Sequence, residues 1–275
     1  MKKATIPLLA ALCLLSGAPA WANSQSLEDS RPIKGEKALA VELNLGAGEV
    51  TFAPGAFDKL YELHVDYSPE HVEPKVRYGE GVLSLYTLAQ RKLGIPGKNA
   101  WTLSFTQKIP VTIHADLGAV KSELDFTGIR LKDLTLLMGA SVATVRFSTP
   151  NPVAMKQLRI EAGAANVKGL GLGNANFESF DFKGGVGNSE LDFAGDYRRK
   201  GTVKASVTIG RLVVRIPRSL GLRVKASDGW ASRVKLPAEL VQEDGRWVSP
   251  NFATAAGRID LEADTQVGGI DIRWE

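Results

Sequence analysis

Cysteine and histidine are scarce in this sequence. It contains one cysteine, Cys13, and three histidines among 275 residues. A chain cleaved after Ala22 would contain no thiol, which excludes disulfides, cysteine-based zinc sites and thiol nucleophiles. The histidines His64, His71 and His114 show no spacing typical of a metal site, and we expect them at solvated surface positions. We therefore expect no metal and no other cofactor.

Long hydrophobic runs are also missing, apart from a short one at the N-terminus. The chain begins with Lys2 and Lys3, continues with an apolar run over residues 4–15 and reaches the small-residue sequence Ala20-Trp21-Ala22. This pattern predicts a secretory signal peptide over residues 1–22, because the run is shorter than the ~20 residues of a membrane span. An uncleaved anchor is the alternative. We expect an exported protein, periplasmic or extracellular, that is soluble, lacks a transmembrane segment after cleavage and meets no nucleic acid.

Helical periodicity is nearly absent, and a recurring glycine takes its place. The glycine stands at intervals of 21 to 25 residues, at Gly118, Gly139, Gly163, Gly185 and Gly210. Every second residue before it is apolar, and a second alternating run follows it. A period of two inside a repeat of this length predicts short strands stacked in coils. We expect the glycine to adopt, at the turn between two strands, a backbone conformation that other residues resist.

These patterns predict one elongated, all-β domain, a β-solenoid-like stack of short strands with little or no helix. Residues 23–110 form an N-terminal segment with irregular first coils, and residues 111–275 form regular stacked coils. The last coil needs protection of its open edge, and the segment 230–256, which we predict to be irregular, is the expected C-terminal cap. A leucine-rich repeat is the competing interpretation, but its characteristic asparagine is missing and a second β run replaces the helix.

Short glycine-containing and acidic motifs recur along the chain. They are Glu42-Leu43-x-Leu45-Gly46, Asp116-Leu117-Gly118-Ala119, Glu123-Leu124-Asp125-Phe126, Glu161-Ala162-Gly163-Ala164, Glu190-Leu191-Asp192-Phe193 and Gly268-Gly269-Ile270-Asp271. As a set, they resemble the bacterial toast-rack domain family over nearly the whole chain after residue 22. The resemblance implies a toast-rack-type β stack. It also implies an exported or membrane-linked protein that is adhesin-like or associated with cell-envelope stress systems. It transfers no catalytic residue.

Asp125 and Asp192 occupy matching Glu-Leu-Asp-Phe contexts, as a catalytic pair would. Their glycines are three coils apart, which predicts a separation of about 14 Å at ~4.8 Å per coil. The paired carboxylates of glycosidases lie roughly 5–9.5 Å apart. We therefore interpret both aspartates as repeated surface positions, and we predict that the protein is not an enzyme.

If successive coils are aligned by their recurring glycines, opposite charges lie side by side on neighbouring strands. The expected neighbours are Arg159 with Asp181, Glu161 with Lys183, Asp125 with Arg146, and the column Lys168, Glu190 and Arg215. We interpret them as exposed cross-strand ion pairs, each worth roughly 0.2–1 kcal/mol.

Residues 196–235 carry eleven basic and two acidic side chains, although the formal charge of the whole chain is only +4. Such a segment attracts anionic polymers or lipid head groups. The alternative is a solvated edge whose charges discourage strand pairing between molecules. The predicted anion-binding residues are Arg198, Arg199, Lys200, Arg211, Arg215, Arg218, Arg223, Lys225, Arg233 and Lys235.

The sequence favours a non-enzymatic, exported binding or scaffold protein of the cell envelope. Its expected partner is an anionic glycan, a lipid surface or an envelope protein. Two alternatives stay open: a sensory or regulatory module of an envelope-stress response, and a polysaccharide-active solenoid enzyme. A cluster of acidic and basic side chains within ~10 Å on one face would favour the enzyme.

Overall fold

The computed structural model describes residues 24–55, 57–90 and 97–275, without the side chains of residues 228–230. The predicted signal peptide and Cys13 lie outside these residues. The described strands are β1 (Gln25–Pro32), β2 (Leu39–Pro54), β3 (Lys59–Tyr67), β4 (Val72–Gly79), β5 (Val82–Ala89), β6 (Asn99–Phe105), β7 (Val111–Asp125), β8 (Leu131–Arg146), β9 (Met155–Leu170), β10 (Phe177–Asp192), β11 (Lys200–Ile216), β12 (Gly221–Lys235), β13 (Val241–Glu243), β14 (Arg246–Val248) and β15 (Arg258–Trp274).

All of these strands belong to one sheet, and its order is β1-β3-β6-β2-β7-β8-β9-β10-β11-β15-β12-β14-β13. The strands β4 and β5 form a hairpin that joins the sheet beside β2. In the described residues the only helix is a four-residue 3-10 turn, Leu172–Ala175. The predicted all-β, elongated stack is therefore confirmed.

Each repeat forms one long strand of 15 to 17 residues, and not two short ones. In β7 the buried positions are odd-numbered from 111 to 117 and even-numbered from 120 to 124. The alternation changes parity at Gly118, so the strand bends there and both halves turn their apolar side chains to a common interior. We call the half before the bend the first arm and the half after it the second arm.

The core lies between the two arms and runs along the stack. Leu136, Ile160 and Phe182 are neighbours on successive strands, and each is at most 1% exposed. The ring centroids of Phe126 and Phe147 lie 5.4 Å apart in a stacked pair. Parallel pairing thus places similar side chains on top of each other, and full burial stabilises each by about 1.5–3 kcal/mol.

The bend glycines fall into two columns with different physical requirements. Gly185 lies in the first column, where a Cβ would stand 2.3 Å from the carbonyl oxygen of Gly163. Gly210 is opposite Gly187, two residues further along β10, and has a φ of +139°. The predicted special conformation therefore holds for Gly210. It is wrong for Gly118, Gly139, Gly163 and Gly185, which have no positive φ. At these four positions a Cβ would stand only 2.2 to 3.0 Å from a backbone oxygen of the preceding coil, so close contact between backbones disfavours a side chain.

The C-terminal strand β15 is inserted between β11 and β12, parallel to both. Strand β12 is consequently the outermost long strand, and the β13–β14 hairpin pairs with its first arm at Arg223 and Val224. The prediction that residues 230–256 are irregular is wrong in part, because β12 extends to Lys235 and the hairpin follows it. The hairpin occupies the sheet edge at which a cap is expected.

At the opposite end of the stack, the edge of β2 that faces away from β7 pairs with two different strands. Its first arm is parallel to β5 and its second arm to β6, which continues antiparallel to β3 and β1. The two arms therefore end in separate antiparallel layers. The proposed division of the chain at residue 110 stays a prediction.

Buried asparagines hold the turns that connect successive coils. Asn151 is 4% exposed, and its Nδ2 donates to the carbonyl oxygens of Leu131 at 2.8 Å and Ala175 at 3.2 Å. Its Oδ1 accepts from the backbone N–H of Leu131 at 3.2 Å. One amide thus joins the turns of three coils and supplies hydrogen-bond partners to their buried backbone groups.

Candidate anion-binding surface

The predicted anion-binding residues are distributed over the loop before β11, both arms of β11, the turn after it and both arms of β12. Arg198 and Arg199 precede β11, which carries Lys200, Arg211 and Arg215; Arg218 lies in the turn, and β12 carries Arg223, Lys225, Arg233 and Lys235.

On the first arm, carboxylates of β15 separate the basic residues of β11 and β12. Lys204 and Lys225 both face Glu262, one from each side. Arg223 faces Asp260, and its Nε donates a hydrogen bond to the Asp260 carboxylate. The basic segment of the sequence is therefore not a uniformly basic surface, because a strand from elsewhere in the chain lies within it.

On the second arm, Arg211 and Arg233 flank Gly269 of β15. Nη2 of Arg211 lies 2.7 Å from Oδ2 of Asp271, which is also the register partner of Lys235. Arg273 shares the same carboxylate at 3.0 Å. Gly269 contributes no side chain between the two flanking arginines.

Six predicted arginines are held in salt bridges on the surface. The pairs are Arg198 with Asp196 (2.7 Å), Arg199 with Glu178 (3.5 Å), Arg211 with Asp271 (2.7 Å), Arg215 with Glu190 (2.7 Å), Arg218 with Glu239 (3.1 Å), and Arg223 with Asp260. Exposed pairs of this kind contribute about 0–1 kcal/mol to stability. Each carboxylate also cancels most of the field that its arginine would present to a ligand.

Five other cations of segment 196–235 make no salt bridge within the described part of the chain, and all five are exposed. We call them the unpaired cations: Lys200, Lys204, Lys225, Arg233 and Lys235. The first three lie on the outer face of the first arm, and the other two on the outer face of the second arm. The structure thus gathers them in two groups at one end of the stack, and their binding role stays a prediction.

The predicted column Lys168, Glu190 and Arg215 is only partly correct. Lys168 is opposite Glu190 as expected, whereas Arg215 is opposite Asp192. Its Nε reaches diagonally to Oε1 of Glu190 at 2.7 Å, and this hydrogen bond raises the pKa of Arg215. The two-residue change of glycine column between β10 and β11 explains the difference.

A second predicted pair is replaced by a contact within one strand. Arg159 lies opposite Asp181 as expected, but its Nη2 donates to Oε1 of Glu161 at 2.6 Å. Lys183 approaches the same oxygen at 3.0 Å, which confirms the Glu161–Lys183 pair. The hydrogen bonds from Lys183 and then Arg159 lower the pKa of Glu161.

Asp125 and Asp192 each stabilise a turn. Oδ1 of Asp125 accepts from the backbone N–H of Thr127 at 2.9 Å, and Oδ1 of Asp192 accepts from that of Ala194 at 2.8 Å. They lie on β7 and β10, three strand steps apart, as the repeat predicts. An aspartate that accepts a hydrogen bond from the backbone N–H two residues later is a common signal for a turn. Both copies of the tetrapeptide Glu-Leu-Asp-Phe contain this aspartate.

His64 lies between two carboxylates on the outer face near the N-terminal end. Its Nδ1 is 3.2 Å from Oε1 of Glu28, and its Nε2 is 3.1 Å from Oδ1 of Asp66. Residues 24–55, 57–90 and 97–275 contain no group of three histidine, cysteine or acidic side chains that could hold a metal ion. Over the same residues no helix is long and apolar enough to cross a membrane.

Three solved structures of similar proteins were compared with the chain. A putative cell adhesion protein from Clostridium sporogenes is 18% identical, with a TM-score of 0.44 over 91% of this chain and 100% of that one. A putative adhesin from Bacteroides fragilis is 12% identical, with a TM-score of 0.44 over 90% and 97%. A putative lipid binding protein from Parabacteroides distasonis is 12% identical, with a TM-score of 0.41 over 91% and 94%.

No match to this chain was found among curated protein sequences. The family described as the N-terminal domain of toast_rack, DUF2154, matches residues 21–168, which are more than half of the sequence. This match confirms the resemblance drawn from the glycine and acidic motifs. The chain therefore belongs to the toast_rack N-terminal domain family.

Proposed function

We propose that this chain is an exported, adhesin-like binding or scaffold protein of the cell envelope, without enzymatic activity, that contacts anionic polymers or lipid head groups. One observation carries the proposal: the unpaired cations are exposed at one end of the stack, while six neighbouring arginines are neutralised by carboxylates. The basic and apolar N-terminal sequence over residues 1–22 supports export.

The position of the unpaired cations favours contact through the C-terminal end of the stack. Strands β11 and β12 are separated only by β15, so on each arm they lie about 10 Å apart at ~4.8 Å per strand. A lysine or arginine near an anionic surface contributes about 1 kcal/mol to binding. Three such residues on the first arm and two on the second, all at the same end of the stack, provide reversible attachment that weakens with salt.

The proposal is tested by sedimentation of the purified chain with phosphatidylglycerol-containing vesicles, with lipopolysaccharide and with neutral phosphatidylcholine vesicles, across a salt series. We expect binding to the two anionic materials at low salt and loss of binding as salt rises. Changing all five unpaired cations to glutamine should weaken binding at least tenfold. No binding to either anionic material at low salt would reject the proposal.

A matched control removes the same charge elsewhere on the stack. Five exposed lysines that make no salt bridge in the described residues are changed to glutamine together: Lys37, Lys108, Lys121, Lys132 and Lys156. We expect this variant to keep most of its binding, because its cations are spread over other coils. Equal losses in the two variants would show that total charge governs binding and would contradict a specific contact surface.

A further inference from the structure

Over the side chains that the structure describes, the interior of the stack is only partly covered at its last coil. Ala226 and Val234 are the interior residues of the two arms of β12, and both are only partly buried. Their register partners on β15, Ala263 and Ile270, are 2% and 1% exposed. Among the side chains that the structure describes, the core therefore ends at β12, where the β13–β14 hairpin pairs only with Arg223 and Val224.

A cavity of about 440 Å³ lies at this open end. The chain after β12 and the hairpin strand β14 complete its walls, since Trp247 and the segment 236–240 stand beside the two arms. The lining residues are Ala226, Val234, Leu236, Pro237, Ala238, Leu240 and Trp247. The volume falls within the ~300–1,000 Å³ of typical small-molecule sites.

The side chains of the walls favour a ligand with an apolar part. All seven lining side chains are apolar apart from the indole N–H of Trp247, and the polar part of the lining comes from backbone groups. Trp247 is 37% exposed, which leaves apolar surface in contact with water. A flexible hydrocarbon chain would remove this surface from water without requiring polar partners.

Cations stand beside the interior residues of β12. Lys225 precedes Ala226, while Arg233 and Lys235 flank Val234, and their side chains point to the outer faces of the arms. All three belong to the unpaired cations. Long basic side chains can lie along apolar surface while their charged ends stay in water. They can therefore reach a negative group that sits at the mouth of the cavity.

We propose that the open end of the core at β12 binds the hydrocarbon chain of a free, single-chain anionic amphiphile, whose head group is held by Arg233 and Lys235. This inference deepens the proposed envelope function, on which it rests, by naming a ligand class and a second mode of contact. The hydrocarbon chain lies between the two arms, and the head group lies at the surface of the second arm.

The inference is tested by titration calorimetry of the full chain with sodium dodecanoate below its micelle concentration. We expect one dodecanoate per chain, and much weaker binding of butyrate and of dodecyltrimethylammonium. Ala238→Asp places a negative charge in an exposed wall residue and should weaken dodecanoate binding at least tenfold. Its control, Ala253→Asp, adds the same charge at an exposed turn residue outside the cavity and should leave binding unchanged.

Two further variants separate the roles of the cavity and the head-group residues. Ala226→Leu fills the cavity and should weaken binding at least tenfold, whereas Val241→Ala, on the β13–β14 hairpin but outside the lining, should not. Arg233→Gln with Lys235→Gln should weaken binding at least threefold at low salt, and Lys200→Gln with Lys204→Gln should not. Thermal unfolding of every variant shows whether the fold is retained, and Ala238→Asp decides the test if Ala226→Leu does not fold.

Several outcomes would overturn the inference. Absence of dodecanoate binding, equal binding of dodecyltrimethylammonium, or no effect of Ala238→Asp would each reject it. A chain that is dimeric in sedimentation and becomes monomeric with Ala238→Asp would show that a second copy covers the cavity. Vesicle binding without dodecanoate binding rejects the cavity and leaves the proposed function standing. Dodecanoate binding without binding to any anionic surface rejects the proposed function alone.

Discussion

Gly187 and Gly210 lie opposite each other on β10 and β11, and a Cβ on Gly210 would stand 1.8 Å from the carbonyl oxygen of Gly187. Gly210 also has a φ of +139°, which side-chain-bearing residues rarely adopt. We expect Gly210→Ala to lower the free energy of unfolding by at least about 2 kcal/mol, because steric overlap adds to backbone strain. Urea denaturation measures the change.

The control for this prediction is Gly46→Ala, at the bend of β2 and in the other glycine column, opposite Gly118. No atom lies within 4 Å of a Cβ placed on Gly46, and its φ is not positive. We expect a change within about 0.5 kcal/mol. If both variants were equally unstable, the bend would require glycine for its flexibility, and close contact between strands would not be the reason.

The buried amide of Asn151 yields a second prediction. Asn151→Leu keeps the number of side-chain heavy atoms but removes the Nδ2 donor from the carbonyl oxygens of Leu131 and Ala175, at a cost of about 1–3 kcal/mol for each unsatisfied group. We expect the midpoint of thermal unfolding to fall by several degrees. The exposed Asn44, changed in the same way, should have little effect. A neutral result for Asn151 would mean that water replaces the amide.

The stacking of the core follows from local sequence patterns. Leu136, Ile160 and Phe182 meet because alternation fixes their face and the repeat length fixes their level. Both signals are contained in a few tens of residues, so they can be read without knowledge of distant strands. The bend of the long strands is also encoded, as a change of parity at each glycine.

The order and register of the last coils could not be obtained in this way. Strand β10 contains both Gly185 and Gly187, and the spacing alone does not decide which of them meets Gly210. Strand β15 lies between β11 and β12. The interior faces of these strands are equally suitable for pairing with one another, so their patterns do not predict this order. It brings Asp260 and Glu262 beside the basic residues, so the surface charge could not be derived from segment 196–235 alone.

The ionic contacts of Asp66 predict a loss of stability in acid. Nζ of Lys98 lies 2.8 Å from Oδ2 of Asp66, and the hydrogen bonds from Lys98 and Ser26 lower the pKa of Asp66 to about 2. An unfolded aspartate has a pKa of about 3.9. The contribution to folding is therefore complete above about pH 4 and is lost as the pH falls toward 2.

We expect Asp66→Asn to flatten the pH dependence of unfolding free energy over this interval. The measurement is a series of urea denaturation curves between pH 2 and pH 5. Glu243→Gln, which removes an exposed carboxylate on the β13–β14 hairpin, serves as the control. An unchanged slope with Asp66→Asn would mean that other carboxylates account for the acid sensitivity.

The shared oxygen of Glu161 predicts which surface charges are energetically coupled. Lys183 and Arg159 both approach Oε1 of Glu161, at 3.0 Å and 2.6 Å, whereas Asp181 accepts a hydrogen bond from Gln157 at 3.3 Å. A double-mutant cycle with Glu161→Gln and Lys183→Met should give a coupling of about 0.2–1 kcal/mol. The coupling should decrease in 1 M salt, because these side chains are partly exposed.

The corresponding cycle for Arg159 and Asp181 separates register from contact. These residues are direct neighbours across β9 and β10. If position in the register alone determined the coupling energy, theirs would be at least as large as that of Glu161 and Lys183. We expect a smaller coupling, because the Arg159 guanidinium is already bonded within its own strand. The coupling of Glu161 should also vanish as the pH falls below the lowered pKa of its carboxyl group, since the protonated group no longer attracts Lys183. A stronger Arg159–Asp181 coupling at neutral pH would show that the side chains exchange partners in solution.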